Sequence, residues 1–540
     1  MNTSDIAAAE RIVGVNYTPA ERALMAETLE QQLMLSLARR AVPLDGVQPA
    51  SRFDPRPSGF RMPRGGGGLR LPPPGEGPLP DDEDGIAFSS AAQLAHWIST
   101  GALTSARVVE VYLARIERLD PVLRAFATVT PELARAEAAA MDALTLAGVS
   151  LGPLHGVPYA LKDLFDTRGI RTGWGAEPFR DRVPDQDAAV VERLRRTGAV
   201  LLGKASLGAL AYGDLWDGGR TRNPWNPDEG ASGSSAGSAS ATAAGLCAFA
   251  IGTETLGSIT SPSQRCGTTG LRPTFGRVSR RGAMPLCWSL DKVGPIARDV
   301  ADCGLVASVL NGGDPADRGS IAAPFQWDAG EDIRGLRLGY LAESFETGTA
   351  VERGALDAAR ALGLEMVPVA LPPLPYGSLL HILYAEAAAA FEPLTLSGED
   401  DTLGWQDAEA WPNTFRRARF LSAVDHVQLD RLRLRVMEAV DGLFARADVV
   451  IGPFGGDMLV ATNFSGHPCL HLRAGFEEVA TRPPGSLGNR SPQNPTPGAP
   501  LHRVPRGISL WGRLFEEGPM LSVGLALERA LAVHRKRPPL

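Results

Sequence analysis

Leu24, Leu29, Leu33 and Leu37 recur at roughly helical spacing up to Arg40, and Thr18-Pro19-Ala20-Glu21 ahead of them reads as a helix start. Thr18 can cap, Pro19 suits the first helical position, and Glu21 completes a capping box. The pattern predicts one amphipathic helix with a leucine stripe that has to be buried against the main domain or a second copy of the chain. A homodimer through this N-terminal helix is one way to bury it. Further on, Val108, Val109, Tyr112, Leu113 and Ile116 predict a helix over 105–119. A short strand is expected over 158–161, a helix over 187–197 and a buried strand over 199–202. Cys247-Ala248-Phe249-Ala250-Ile251 is a further strand candidate, and later strands are expected at 335–341 and 449–451. This βαβ rhythm predicts an α/β fold, a mixed central sheet covered by helices on both faces, with a helical arm at the N-terminus.

Prolines and glycines crowd the stretch after the first helix, including Gly65-Gly66-Gly67-Gly68 and Pro72-Pro73-Pro74. It reads as a linker or an extended arm lying on the surface. The glycine run is no phosphate loop, because no Lys-Ser/Thr and helix follow it. The expected division is an arm at 1–42, a linker at 43–86 and one domain over 87–540. Residues 480–505, polar and rich in Pro, Gly and Asn, read as a long loop.

Of the 540 residues, 44% are hydrophobic and 21% charged, an ordinary globular balance with ample length for a large core. The net charge of −7 gives no electrostatic reason to expect a nucleic acid or an anionic membrane as partner. The start of the chain lacks a basic n-region and no long apolar stretch follows, so neither a secretory signal nor a membrane span is expected, and the default location is the cytoplasm. Cys247, Cys266, Cys287, Cys303 and Cys469 form no C-x-x-C pair and read as buried free thiols in a reducing compartment. No Cys/His cluster has metal-ligand spacing, so no zinc site is expected.

The chemistry concentrates between Gly230 and Pro273. Its first half, Gly230-Ala231-Ser232-Gly233-Ser234-Ser235-Ala236-Gly237-Ser238, could be a flexible linker by composition. Its context argues otherwise, since it runs directly into a helix-competent stretch and then the apolar run at Cys247. Small residues let backbone approach backbone or substrate closely, as a hole lined by main-chain N–H groups needs. The second half, Thr253-Glu254-Thr255-Leu256-Gly257-Ser258-Ile259, is a tight turn after a strand that could present a serine at the mouth of a sheet.

Gly233-Ser234-Ser235-Ala236-Gly237-Ser238, Gly252 to Ile259, Cys266-Gly267 and Gly270-Leu271-Arg272-Pro273-Thr274 together resemble the amidase signature. Gly156-Val157-Pro158-Tyr159-Ala160-Leu161-Lys162-Asp163 resembles the lysine-bearing segment of that family, and Asn223-Pro224-Trp225-Asn226-Pro227 the approach to its signature. Ser289-Leu290-Asp291, Gly294-Pro295-Ile296-Ala297-Arg298, Gly466-His467-Pro468 and Gly507-Ile508-Ser509 fit later segments. The resemblance is good over about 88–310 and looser in the C-terminal third. It implies the amidase signature fold and a Ser-cisSer-Lys triad: Ser258 as nucleophile, Ser234 as the bridging serine behind a cis peptide bond, and Lys162 as base. A lysine can take a serine proton only when neutral, so burial has to lower its pKa. Tyr159-Ala160-Leu161 and Leu164-Phe165 favour burial, while Asp163 leaves an ion-paired lysine open. The resemblance places the oxyanion hole at the main-chain N–H groups of Thr255, Leu256, Gly257 and Ser258, next to a helix starting near Pro262. Gly233, Ser235, Tyr212 and Trp216 are the candidate substrate-binding residues. Tyr212 and Trp216, like Trp288 and Phe454, could equally be core. Pocket walls are expected from 120–220 and 375–470.

The sequence departs from the family pattern at Glu254, Leu256, Thr260 and Ala236, where Asp, Gly, Arg and Gly are common. Arg265 is expected to pair with Glu254 in support of the turn. Gly233-Ser234-Ser235-Ala236-Gly237 also reads as a G-x-S-x-G nucleophile elbow with Ser235 as nucleophile, but an elbow needs a strand before it and 226–230 reads as loop. The expected activity is hydrolysis of a carboxamide C–N bond in a small-molecule substrate through a seryl acyl-enzyme, with carbamates and esters as further substrates and no cofactor. The alternatives are the glutaminase subunit of a tRNA-dependent amidotransferase and a non-catalytic binding protein on the same fold.

Overall fold

The computed structural model describes residues 2–44, 47–72, 78–482 and 500–540. Its centre is a mixed sheet of 11 strands. In chain order these are β1 Phe126–Val129, β2 Pro158–Lys162, β3 Val200–Ala205, β4 Phe249–Glu254, β5 Thr269–Arg272, β6 Lys292–Ala297, β7 Arg337–Leu341, β8 Glu365–Val369, β9 Val449–Gly452, β10 Cys469–Ala480 and β11 Leu501–Gly512. Their order across the sheet is β8-β7-β9-β11-β10-β5-β6-β4-β2-β3-β1. β2 runs parallel to β3 and β4, and β7 parallel to β8 and β9; β6 is antiparallel to β4 and to β5.

β2, β3 and β4 are buried at every position. Parallel strands covered on both faces are expected to be almost continuously apolar. Tyr159 of β2 stacks on Phe249 of β4 at 5.6 Å, which belongs to that pattern. Lys162, Lys204 and Glu254 break it, and all three sit at or near the C-terminal ends of these strands. Because Leu161 of β2 pairs in parallel with Ile251 of β4, those ends emerge at the same edge of the sheet. The alanine-, glycine- and serine-rich stretch is no linker: Ala236–Ala243 is a helix buried at all its positions. The expected loop at 480–505 is a hairpin at both its ends, since β10 continues to Ala480 and β11 starts at Leu501; residues 483–499 lie outside the described residues. Residues 226–230, read as loop, form a short strand paired with Arg222–Asn223 outside the main sheet.

The arm is two helices, α1 Thr3–Val13 and α2 Pro19–Arg40. Thr18 and Glu21 close the capping box of α2, and Arg22 joins the two helices through Glu10 at 2.7 Å. The leucine stripe of α2 is uncovered in the single chain, with Leu24 66% exposed and Leu33 and Leu37 also open. Arg39 reaches the body at Glu392. The segment that follows does lie on the body: the Arg433 guanidinium sits 3.4 Å over the Phe53 ring, and Leu69–Arg70 pair with Trp327–Asp328. No described helix is long and apolar enough to cross a membrane, and the five cysteines are buried and unpaired.

An exposed ion pair contributes about 0–1 kcal/mol, so deleting residues 1–42 is expected to shift the melting temperature by less than about 3 °C in differential scanning calorimetry.

Candidate active site

Lys162 ends β2 with no exposed surface, and no carboxylate of the described residues lies within ion-pair distance of it. Asp163, the neighbour that could have paired with it, turns instead to Lys204 of β3, whose Nζ lies 3.4 Å from Asp163 Oδ1. Burial pulls the Lys162 amine well below the usual lysine range; the more distant Asp291 and Glu254 oppose this only in part. In its neutral form the amine carries two N–H donors and one lone pair.

Three hydroxyls surround it: Ser234 Oγ at 2.8 Å, Ser235 Oγ at 2.9 Å and Thr253 Oγ1 at 2.8 Å. Ser235 Oγ donates its own hydrogen to the Thr253 carbonyl at 3.1 Å and accepts from the Thr253 amide at 3.1 Å. Towards Lys162 it can act only as an acceptor. The lone pair of a neutral amine could then accept from Ser234 or Thr253 but not from Ser235. The Gly233–Ser234 peptide bond is cis. A side chain at 233 is impossible here, since a Cβ would come 1.8 Å from the Gly213 carbonyl oxygen.

Ser258 stands in the turn between β4 and the helix Thr260–Cys266. Gly257 takes φ 89° there, a left-handed conformation that glycine adopts without penalty, so Leu256 beside it needs no unusual φ. The amides of Leu256, Gly257 and Ser258 have no acceptor among the described residues. Glu254 anchors the turn. Its Oε2 accepts from the amides of Ile259 at 3.0 Å and Thr260 at 2.9 Å, while Oε1 accepts from Arg272 at 2.7 Å and Asn463 at 3.0 Å. Burial would raise this carboxyl, but Arg272 and the Thr260 amide outweigh it and hold it down at about 2. The expected partner Arg265 is elsewhere, 3.4 Å from Glu229. Arg272 comes closer because β5 carries it beneath the turn. The other side of the turn is held by Thr255, which donates to Asp291 at 2.6 Å.

The turn opens on a solvent-connected cavity. Gly233, Ser234, Thr255, Leu256, Gly257, Ser258 and Tyr212 all line it. Two expected substrate-binding residues do not. Ser235 is fully buried behind the site and holds Lys162. Trp216 lines a separate hollow with Asp120 and Arg124. Trp288 is not on the cavity wall, whereas Phe454 is. The expected segment 375–470 supplies Leu383, Trp411 and Leu459 as well, but Arg265, Arg482 and Arg506 were not foreseen as wall residues. Arg265 was legible in principle, lying one helical turn from Ser261 in the helix that follows the turn at Ser258.

Glu254→Gln is expected to cost about 3–5 kcal/mol in denaturant unfolding, because it leaves the buried Arg272 uncompensated. A carboxylate with a depressed native pKa stabilises above its unfolded pKa of about 4.5, and that contribution is lost as pH falls towards about 2. The difference in stability between the two proteins should therefore shrink below about pH 4.5. Loosening the turn by a fraction of an ångström should lower kcat by about 10²-fold.

The sequence model of the amidase family matches residues 107–467. The chain is 35% identical over 471 residues to a protein from Roseiflexus sp. (strain RS-1) named as a subunit of glutamyl-tRNA(Gln) amidotransferase, covering 82% of this chain and 96% of that one. Among solved structures, the native peptide amidase from Stenotrophomonas maltophilia superimposes with a TM-score of 0.69 at 29% identity, over 84% of this chain and 98% of the other. An amidase family protein from Bacillus anthracis str. Ames shares the fold, with a TM-score of 0.71 at 24% identity over 85% and 94% of the two chains. With a family match across most of its length and this arrangement at the sheet edge, the chain belongs to the amidase signature family of amidohydrolases.

Proposed function

We propose that this protein is a free-standing amidase that hydrolyses a carboxamide C–N bond with Ser258 as nucleophile, Ser234 as proton relay and Lys162 as base. The observation that carries the reading is the set of contacts at Lys162: it has no carboxylate partner among the described residues, Ser234 Oγ lies 2.8 Å away, and Ser235, whose own hydrogen goes to the Thr253 carbonyl, can only accept. Ser258 Oγ attacks the carbonyl carbon and passes its proton to Ser234 as Ser234 gives its own to Lys162. The amides of Thr255, Leu256, Gly257 and Ser258 receive the developing oxyanion. As the tetrahedral intermediate collapses, the proton returns from Lys162 through Ser234 to the leaving nitrogen, and an amine departs. Water, deprotonated by the same route, then attacks the Ser258 ester and releases the carboxylic acid. Carbamates and esters present the same carbonyl chemistry.

A second reading, the amide-hydrolysing subunit of an amidotransferase, draws on the names of the curated relatives. Thr260 in place of the family's common Arg after the nucleophile weighs towards the first. Purification with a stable partner protein, together with glutaminase activity that depends on it, would favour the second.

Ser258→Ala is expected to lower kcat/KM for aryl and aliphatic amides by about 10³-fold or more and to abolish labelling by a fluorophosphonate probe. Equal turnover by this variant would exclude the mechanism. Because Lys162 must be neutral to work and its pKa is depressed, wild-type activity should rise with pH through a limb that lies well below the usual lysine range. Lys162→Arg keeps a permanent charge and should be inactive throughout.

A further inference from the structure

The cavity that exposes Ser258 is lined, among the described residues, by three arginines, Arg265, Arg482 and Arg506, and by no acidic residue. Their charges are unequally answered. Arg506 has two carboxylates, Glu352 at 3.2 Å and Glu477 at 3.7 Å. Arg265 and Arg482 share one within ion-pair distance, Glu229, and Asp214, itself paired with Arg220, acts on Arg265 from farther away. Arg482 takes most of it, donating to Glu229 Oε2 from both its amide and its Nε at 3.0 Å, and Asn223 donates to Oε1 at 2.7 Å. Arg265 is left with a single approach of 3.4 Å and no hydrogen bond from its guanidinium to any described residue. It is only 5% exposed. A desolvated cation beside a second cation is costly unless something balances it. Burial, and after it the charge of Arg482, press against the protonated form of Arg265, and Glu229 and Asp214 oppose them only in part.

The placement is suited to a ligand. Ser261, Gln264 and Arg265 lie on one face of the helix Thr260–Cys266, and all three line the cavity. Five residues of helical rise, about 7 Å, separate Thr260 beside the nucleophile from Arg265. The wall also includes apolar Leu286, Leu383, Trp411, Phe454 and Leu459. We infer that Arg265, with Arg482 beside it, is an anion-binding subsite, and that the preferred substrate is an amide carrying a carboxylate several atoms from the scissile bond, joined by an apolar spacer. This inference rests on the amidase reading above and names the substrate class for the same site. A planar guanidinium with free N–H donors is matched to a carboxylate.

The test uses two matched series on the full chain: straight-chain amides ending in a carboxylate on the acyl side or on the amine side, each against its neutral methyl-terminated counterpart. At least one carboxylate-tailed amide is expected to exceed its neutral partner in kcat/KM by about tenfold or more, mainly through KM. That ratio should collapse towards unity in Arg265→Met and recover in part in Arg265→Lys. Ser258-dependent hydrolysis without a preference for any tailed amide, or a ratio that Arg265→Met leaves unmoved, overturns the inference while the amidase reading stands. A second measurement does not need turnover: calorimetric titration of adipate and suberate onto the Ser258→Ala protein. Binding weakened about tenfold by adding Arg265→Met supports the subsite. No binding at millimolar concentrations, or binding indifferent to Arg265, counts against it. If no amide of either kind is hydrolysed in a Ser258-dependent way, the amidase reading fails, and the titration alone decides the subsite.

Discussion

Two buried lysines stand on neighbouring parallel strands, and the difference between their partners organises the site. Lys204 has Asp163 at 3.4 Å and donates to the Phe165 carbonyl and to Thr172, so its charge is answered, and burial lowers it only to about 8. Lys162 receives hydroxyls and no carboxylate. By claiming Asp163, Lys204 leaves Lys162 without a carboxylate partner. Burial disfavours the charged form of an amine that has no counter-ion in a low-dielectric interior, and this is the property the proposed role as base requires.

The second constraint is the turn itself. Glu254 holds two consecutive amides of the segment leading away from Ser258 and is held in turn by Arg272 and Asn463, from separate parts of the chain. The family's common Asp and Arg at positions 254 and 260 are here Glu and Thr. The longer Glu254 side chain reaches the Thr260 amide and hydroxyl directly. A guanidinium reaches Glu254 from β5, a strand two places away in the sheet.

Much of this could be read from the sequence because the chemistry is local. The serine-rich stretch, the turn at Ser258 and the strand bearing Lys162 are each contiguous, and their residue types carry their own constraints. What could not be read depends on which strands lie side by side. Arg265 is nearer in sequence to Glu254 than Arg272 is, yet it faces Glu229. Trp216 looks like a pocket aromatic by type, but a two-residue hairpin with Gly219–Arg220 turns it towards Asp120. The strands β10 and β11 were hidden by the proline and glycine content of the segment between them, which masks the alternating burial at their ends. Arg482 and Arg506 come from that region, more than 200 positions from Ser258.

The place of β11 in the sheet bears on how the protein is made. It is the last strand in the chain, yet it lies inside the sheet, between β9 and β10. Between the emergence of β10 and that of β11 the nascent sheet is therefore two slabs, β1 to β6 with β10 on one side and β7 to β9 on the other, each with an open edge. Only when residues 501–512 emerge does one strand seal both edges and bring Arg506 to the cavity. Long-range closure of this kind is slow and leaves unpaired edges exposed until late. The nascent chain is thus a hydrolase without a finished pocket, and its competence arrives all at once with the final strand.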